Sequence, residues 1–181
     1  SILNLKDIFK KNKDIIFVTP QINSKNKISK KKGKFNFVKK INAACMLCDV
    51  KKLKTIGFFD EDYFLYWEDK DLMERVKKSS FKMIQLLNAS VVHDSGNSTL
   101  NNLNVQFIRR INFKYGELLF DLKHKKIRII KVLRQVFQNI FFLPFNLIIL
   151  NKHKIVENIS QIIGIFKFIK FILFKKNSKN I

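Results

Sequence analysis

Residues Gly57–Arg75 read Gly-Phe-Phe-Asp-Glu-Asp-Tyr-Phe-Leu-Tyr-Trp-Glu-Asp-Lys-Asp-Leu-Met-Glu-Arg, and this stretch decides how the rest of the chain is read. It carries Asp60, Glu61, Asp62, Glu68, Asp69 and Asp71, with Glu74 one helical turn further on. The chain of 181 residues has 36 Lys and Arg against 14 Asp and Glu, a net charge of +22, so this stretch is its one acidic island. Between the acid clusters lies Tyr63-Phe64-Leu65-Tyr66-Trp67, with two of the three tyrosines and the single tryptophan. Carboxylates accept hydroxyl hydrogens and aromatic rings stack on C–H faces, a pairing that suits a sugar. Glu68-Asp69 opens a predicted helix to about Lys78, with Leu72, Val76 and Phe81 marking its apolar side. Asp71 and Arg75 read as an i,i+4 pair of the exposed kind, worth well under about 1 kcal/mol. A carboxylate at a helix start is stabilised as the anion by the dipole and the free amides, which suits a general base. Ordinary capping of a helix N-terminus by Asp and Glu fits the same residues.

Working outward towards the N-terminus, Lys51–Ile56 reads as a short helical turn closed by Gly57 in the C-cap position. Ile41–Val50 is an apolar segment read as a strand or strand-turn. Within it Cys45 and Cys48 form a lone Cys-x-x-Cys. A zinc site needs four ligands and no second pair stands nearby, so two buried, reduced thiols in a strand is the reading. Ser24–Lys40 is lysine-rich and reads as an exposed loop or loose hairpin. Without arginines or structured aromatics it makes a poor nucleic-acid patch. Asp14–Thr19 is a buried-strand run that Pro20 is expected to end, and Ile2–Lys11 has helical spacing.

Towards the C-terminus, Phe81–Leu87 and Ala89–His93 read as two strands, followed by the loop at 94–99. From about residue 100 the pattern is helical. Helices are expected over 107–123, 127–142 and 155–174. The second places Ile129, Ile130, Leu133, Val136, Phe137, Ile140 and Phe141 on one face. The third confines Glu157, Ser160, Gln161, Gly164, Lys167 and Lys170 to a narrow polar stripe. No window is apolar enough to cross a bilayer. A broad apolar face edged by lysines is the pattern of an in-plane interfacial helix, and packing on a domain or partner is the alternative. Three acids against sixteen Lys and Arg after residue 100 favour an anionic membrane surface. Scarce glycine (5) and proline (2) argue against a Gly/Pro-rich all-β chain.

The order Asn42–Leu47, then Gly57-Phe58-Phe59-Asp60-Glu61, then Phe64–Arg75, then Ala89–Ser98 resembles the C-terminal half of a family 2 GT-A glycosyltransferase. Rhamnosyltransferase-like and galactofuranosyltransferase-like members resemble it most, over roughly residues 14–115. The resemblance implies a partial GT-A-like (Rossmann-related) α/β mixed sheet with helices, followed by an α-helical region. It divides the chain into an acceptor-side part, residues 1–115, and a basic amphipathic helical part, residues 116–181. It implies an inverting, hexosyltransferase-type enzyme moving a sugar from a nucleotide-sugar donor to a glycan or lipid-linked acceptor in cell-surface polysaccharide synthesis.

In that frame Asp69 matches the catalytic base and Glu68 orients the acceptor or the base. Trp67 and Tyr66, with Asp60 and Glu61, belong to acceptor binding. His93 matches a ligand of a divalent metal, Mg or Mn, on the donor diphosphate. The family's donor-binding Asp-x-Asp after a buried strand has no counterpart: Asp60-Glu61-Asp62 and Asp69-Lys70-Asp71 have the letters but not the setting. The chain therefore reads as a portion whose metal would bind only with the missing half present, supplied by a longer product or a separate chain. The expected place is the bacterial cytoplasm, peripheral on the inner face of the cytoplasmic membrane. The alternatives are a basic membrane-surface or nucleic-acid-binding module, or an inactive glycosyltransferase remnant.

Overall fold

The computed structural model describes Phe9 and residues 12–23, 33–93 and 102–177. The expected helix at 2–11 (Phe9 apart), the lysine run at 24–32 and the loop at 94–99 lie outside the described residues. The fold is mixed α/β: a four-stranded mixed sheet, five helices among the described residues, and a region of three long helices over 103–177. The chain divides into two compact units. A sheet unit takes Ser1–Asp60 with Asp69–Ser98, and a helical unit takes Glu61–Glu68 with Thr99–Ile181. The boundary expected at 115 falls inside a helix, and the acidic island itself passes from one unit to the other and back.

In the sheet unit the strands are β1 (Ile15–Asn23), β2 (Phe35–Val38), β3 (Leu47–Cys48) and β4 (Lys82–Val92), in the order β2-β4-β1-β3. β1 runs parallel to β4, while β3 pairs antiparallel with β1 and β2 antiparallel with β4. Pro20 does not end β1. It has no N–H for the ladder, and the register shifts between Thr19 and Gln21 instead. The same shift explains why one strand, β4, stands where two were expected. Thr19 faces Gln85 but Gln21 faces Ser90, so the residues around Asn88 are extra, and Gln21 Nε2 donates to the Leu87 carbonyl at 2.6 Å. β2 pairs with β4 rather than within its own segment, which corrects the loop-or-hairpin reading of its last residues. Only Leu47–Cys48 of the apolar run 41–50 is strand; Cys45 precedes it, and its carbonyl accepts Thr19 Oγ1 at 2.8 Å. Both thiols are free and half-buried.

Helix α1 (Val50–Ile56) starts at Asp49, whose carboxylate accepts the Lys51 and Lys52 amides at 3.0 and 3.2 Å, and it ends at Gly57 with φ 84°. Helix α2 occupies Glu68–Lys78, as the apolar spacing predicted. A second register shift, between Ile15 and Phe17, lets Ile16 and Phe17 enter one core while Ile15 and Val18 enter the other. The first core joins Ile16 and Phe17 to Leu53, Leu72, Met73 and Val76, so α1 and α2 cover that face.

The helical unit contains α3 (Leu103–Lys123), α4 (Ile129–Ile148) and α5 (Lys152–Asn177). Asn102 caps α3 by accepting the Val105 amide at 2.9 Å. Helix α4 continues six residues beyond its expected end, with Pro144 inside it. Tyr63, Tyr115, Leu118, Leu119, Phe120, Ile165 and Phe168 form the core. Gly164 lets α5 approach α3 closely: a Cβ there would meet Lys114 Cβ at 2.7 Å and the Ile111 carbonyl at 2.8 Å. Lys114 is buried, and its ammonium donates to Glu117 Oε2 at 2.8 Å and Gln135 Oε1 at 2.7 Å. The stripe expected to be the polar outer edge of α5 turns inward in part. Ser160 is fully buried, and Lys167 Nζ donates to Asn112 Oδ1 at 2.7 Å over the Tyr115 ring.

Candidate functional site

The acidic island is held at three places. Its first residues leave α1 through Gly57, where the backbone is left-handed and a side chain would press on Arg75. The Arg75 guanidinium donates to the carbonyls of Ile56, Gly57 and Phe58 at 2.8, 2.7 and 2.7 Å. Its Nε donates to Asp71 Oδ2 at 2.8 Å. Asp71 is only 2% exposed, so the pair is a buried strut fixing the loop that leads to Asp60. The reading of it as an exposed pair is corrected: three carbonyls and one carboxylate share one guanidinium, and the carboxylate has little water to fall back on.

The middle of the island is held within the helical unit. Tyr115 Oη donates to the Asp62 carbonyl at 3.1 Å. Lys123 and Lys175 donate to Asp62 Oδ2 at 2.6 and 2.8 Å. Burial pushes the Asp62 carboxyl up, but the two ammonium groups outweigh it and hold the group below the usual aspartate range. Tyr66 packs edge-on against Phe113, and Trp67 packs against Phe113 and Phe120, with centroids 5.2 to 5.7 Å apart.

Tyr66 and Trp67 have φ of 68° and 75°. Two consecutive bulky aromatics in the left-handed region are strained, at about 1–3 kcal/mol each, and such strain concentrates at working sites. Gly116 on α3 makes the turn fit. A Cβ there would meet Trp67 Cδ1 at 2.8 Å and the Tyr66 carbonyl at 3.0 Å.

This strained turn leads directly into Glu68 and Asp69, the first two residues of α2. Both are half-buried. Asp69 Oδ1 accepts the Lys70 amide at 2.7 Å. Glu68 Oε2 is buried and has no hydrogen-bond partner among the described residues. Tyr66, Trp67 and Glu68 belong to the helical unit and Asp69 to the sheet unit; Asp60 is half-buried in the sheet unit and Glu61 exposed in the helical one.

His93 lies just past β4, exposed, with its amide donating to the Asn23 carbonyl at 2.8 Å. Among the described residues no three His, Cys, Asp or Glu side chains gather as a metal-binding group. His93 supplies one nitrogen, and a hard cation on a diphosphate needs further oxygen ligands. The described residues therefore do not by themselves fit a Mg or Mn site.

Sequence reasoning missed Gly116, Phe113 and Phe120, the seat of the aromatic turn. A glycine in the middle of a long helix was the available signal, since such a glycine costs helix stability unless something packs close to it.

The chain is 34% identical over 59 residues to the N-acetylglucosaminyl-diphospho-decaprenol L-rhamnosyltransferase of Mycobacterium tuberculosis, in both strain CDC 1551 / Oshkosh and strain ATCC 25618 / H37Rv. The aligned part is 33% of this chain and 19% of each relative, so the chain spans about a fifth of the curated relatives it matches. No family model and no solved structure matches. The similarity supports a distant glycosyltransferase relationship.

Proposed function

We propose that this chain is the acceptor-side portion of an inverting glycosyltransferase. It would move a hexosyl or deoxyhexosyl group, such as the L-rhamnosyl of its relative's name, from a nucleotide-sugar to a glycan or lipid-linked acceptor in cell-surface polysaccharide synthesis. The observation that carries the reading is the strained Tyr66-Trp67 turn. A fold keeps two aromatic residues in an unfavourable backbone conformation when the result aims something, and here it leads straight into two carboxylates. The distant rhamnosyltransferase similarity supports the same class.

In this mechanism Trp67 and Tyr66 line the acceptor site, and Asp60 and Glu61 accept acceptor hydroxyls. Glu68 orients the acceptor. The Asp69 carboxylate takes the proton of the attacking hydroxyl as that oxygen bonds to the anomeric carbon. The bond from that carbon to the diphosphate oxygen breaks on the opposite face, and the nucleoside diphosphate leaves with the electron pair. Donor binding belongs to the remainder of the whole protein. No step is routed through a metal, because His93 alone does not fit one.

The test is Asp69→Asn in the whole protein, with sugar transfer and donor binding measured side by side. Turnover should fall by about two to four orders of magnitude, the range for losing a general base, with donor affinity unchanged. Near-wild-type turnover would remove Asp69 from the mechanism.

A further inference from the structure

Between α4 and α5 of the helical unit, amides and charges face one another, while large apolar side chains of α4 face outward. Along α4 the less exposed positions are Val132, Gln135, Val136, Asn139, Leu143 and Asn146, of which three are amides. Asn146 Nδ2 donates to Asn158 Oδ1 at 3.0 Å, and Asn158 Nδ2 donates to Asn139 Oδ1 at 3.1 Å. With Gln135 and Gln161 they line a polar cleft of about 560 Å³ between α4 and α5. On the outer side Leu133, Phe137, Ile140, Phe141, Phe145 and Ile148 are 49% to 80% exposed, and no residue of α4 is buried.

In water this arrangement is the wrong way round, since it leaves a contiguous apolar stripe on the surface. In lipid it is the favourable one: side-chain hydrogen bonds join the helices, and apolar groups meet the acyl chains. The charges fit the same setting. Residues 135–151 carry none, Arg128, Lys131 and Arg134 precede them, and Lys152 and Lys154 follow. No described helix is long and apolar enough to cross a membrane, and a broad apolar face edged by cations is the pattern of an in-plane contact.

We propose that the outer face of α4 docks the protein onto an anionic lipid bilayer. Phe137, Phe141 and Phe145 enter the acyl boundary, and Arg128, Arg134 and Lys152 meet the phosphates. The sequence pattern assigned this role to the following helix, α5. The structure gives α4 the larger share, because part of the polar stripe of α5, Ser160 and Lys167 included, is engaged inside the unit. This proposal does not depend on the sugar-transfer reading.

The test is flotation of the 181-residue chain with vesicles of equimolar phosphatidylcholine and phosphatidylglycerol. The triple variant Phe137→Ser, Phe141→Ser, Phe145→Ser should lower partitioning about a hundredfold, each half-inserted ring being worth about fivefold. Arg128→Gln with Lys152→Gln should lower it by more than about tenfold and flatten its salt dependence. Pure phosphatidylcholine should bind weakly. In Phe141→Trp, emission beyond that of Trp67 should be quenched by brominated lipid.

Unchanged partitioning of the triple variant at unchanged helicity would overturn the proposal. So would an unquenched Phe141→Trp, which decides the matter if the triple variant misfolds. A wild-type chain that ignores vesicles and forms concentration-dependent dimers would assign the face to a second copy and overturn it equally.

Discussion

The two units solve the problem of burial in opposite ways. In the sheet unit Ile15, Ile16, Phe17 and Ile84 are fully buried, and the polar groups among them are few and individually bonded. In the helical unit only the α3 side has such a core. Between α4 and α5 the cleft is lined mainly by amides and charges, and Phe137, Phe141 and Phe145 of α4 stand outside. The difference lies in where the largest rings go: Phe17 is fully buried in the sheet unit, whereas Phe137, Phe141 and Phe145 of α4 are exposed. On the proposed bilayer docking, the exposed rings of α4 meet acyl chains instead of water.

The sharpest way to break this comparison is to truncate one phenylalanine from each side. Phe17→Ala should cost about 3–5 kcal/mol, the loss of a fully buried ring plus the cavity it leaves. Phe141→Ala, from a residue 49% exposed, should change stability by about 0.5 kcal/mol or less in detergent-free buffer. Hydrogen exchange, read separately for β1 with β4 and for α4, avoids treating a two-unit chain as two-state. A loss at Phe141 comparable with that at Phe17 would mean that α4 has an ordinary buried face.

Removing the strut at Asp71 sharpens the other half. Asp71→Ala leaves the Arg75 guanidinium without its carboxylate while three carbonyls still hold it in place. Partial exposure of Arg75, at 24%, moderates the penalty for an unpaired buried charge to about 2–3 kcal/mol. The exchange protection of α2 and of the Gly57–Asp60 loop should fall together, and a cost below about 1 kcal/mol would restore the reading of an exposed pair.

How much of this was legible in the sequence follows from range. Helix α2, the Gly57 C-cap of α1 and the three long helices were readable because periodicity and capping act over a few residues, whereas the Asp49 N-cap was not read. The continuity of β4 was not, because it depends on where a partner strand puts its proline. The depth of Asp71 was not, because i,i+4 spacing says nothing about what covers the pair. Of the site, the acids and aromatics were visible as composition. The left-handed turn at Tyr66-Trp67 was invisible, since no local rule puts two large rings at positive φ. Only Gly116, some fifty residues on, makes it possible.

The smallest effect tests whether that turn depends on ionic contacts in the helical unit. Asp62 accepts from both Lys123 and Lys175, and its carboxyl lies below the usual aspartate range. A depressed folded value means that the contribution is fully present above the unfolded value of about 3.9 and is lost as pH falls through the folded one. Acidification below about pH 4 should therefore loosen the seat of the aromatic run, and protonation would also leave two ammonium groups facing each other. Trp67, the one tryptophan, reports it through its emission. Glu117 and Glu157, also held low by lysine and arginine partners, add their own acid limbs, so the quantity to read is the difference between the wild type and Asp62→Asn. With the Asp62 side chain 28% exposed, the pair energy is about 1 kcal/mol at most. Asp62→Asn should lose that much at neutral pH and converge with the wild type in acid. Two acid profiles that run parallel throughout would mean that the seat rests on the Phe113, Gly116 and Phe120 packing alone.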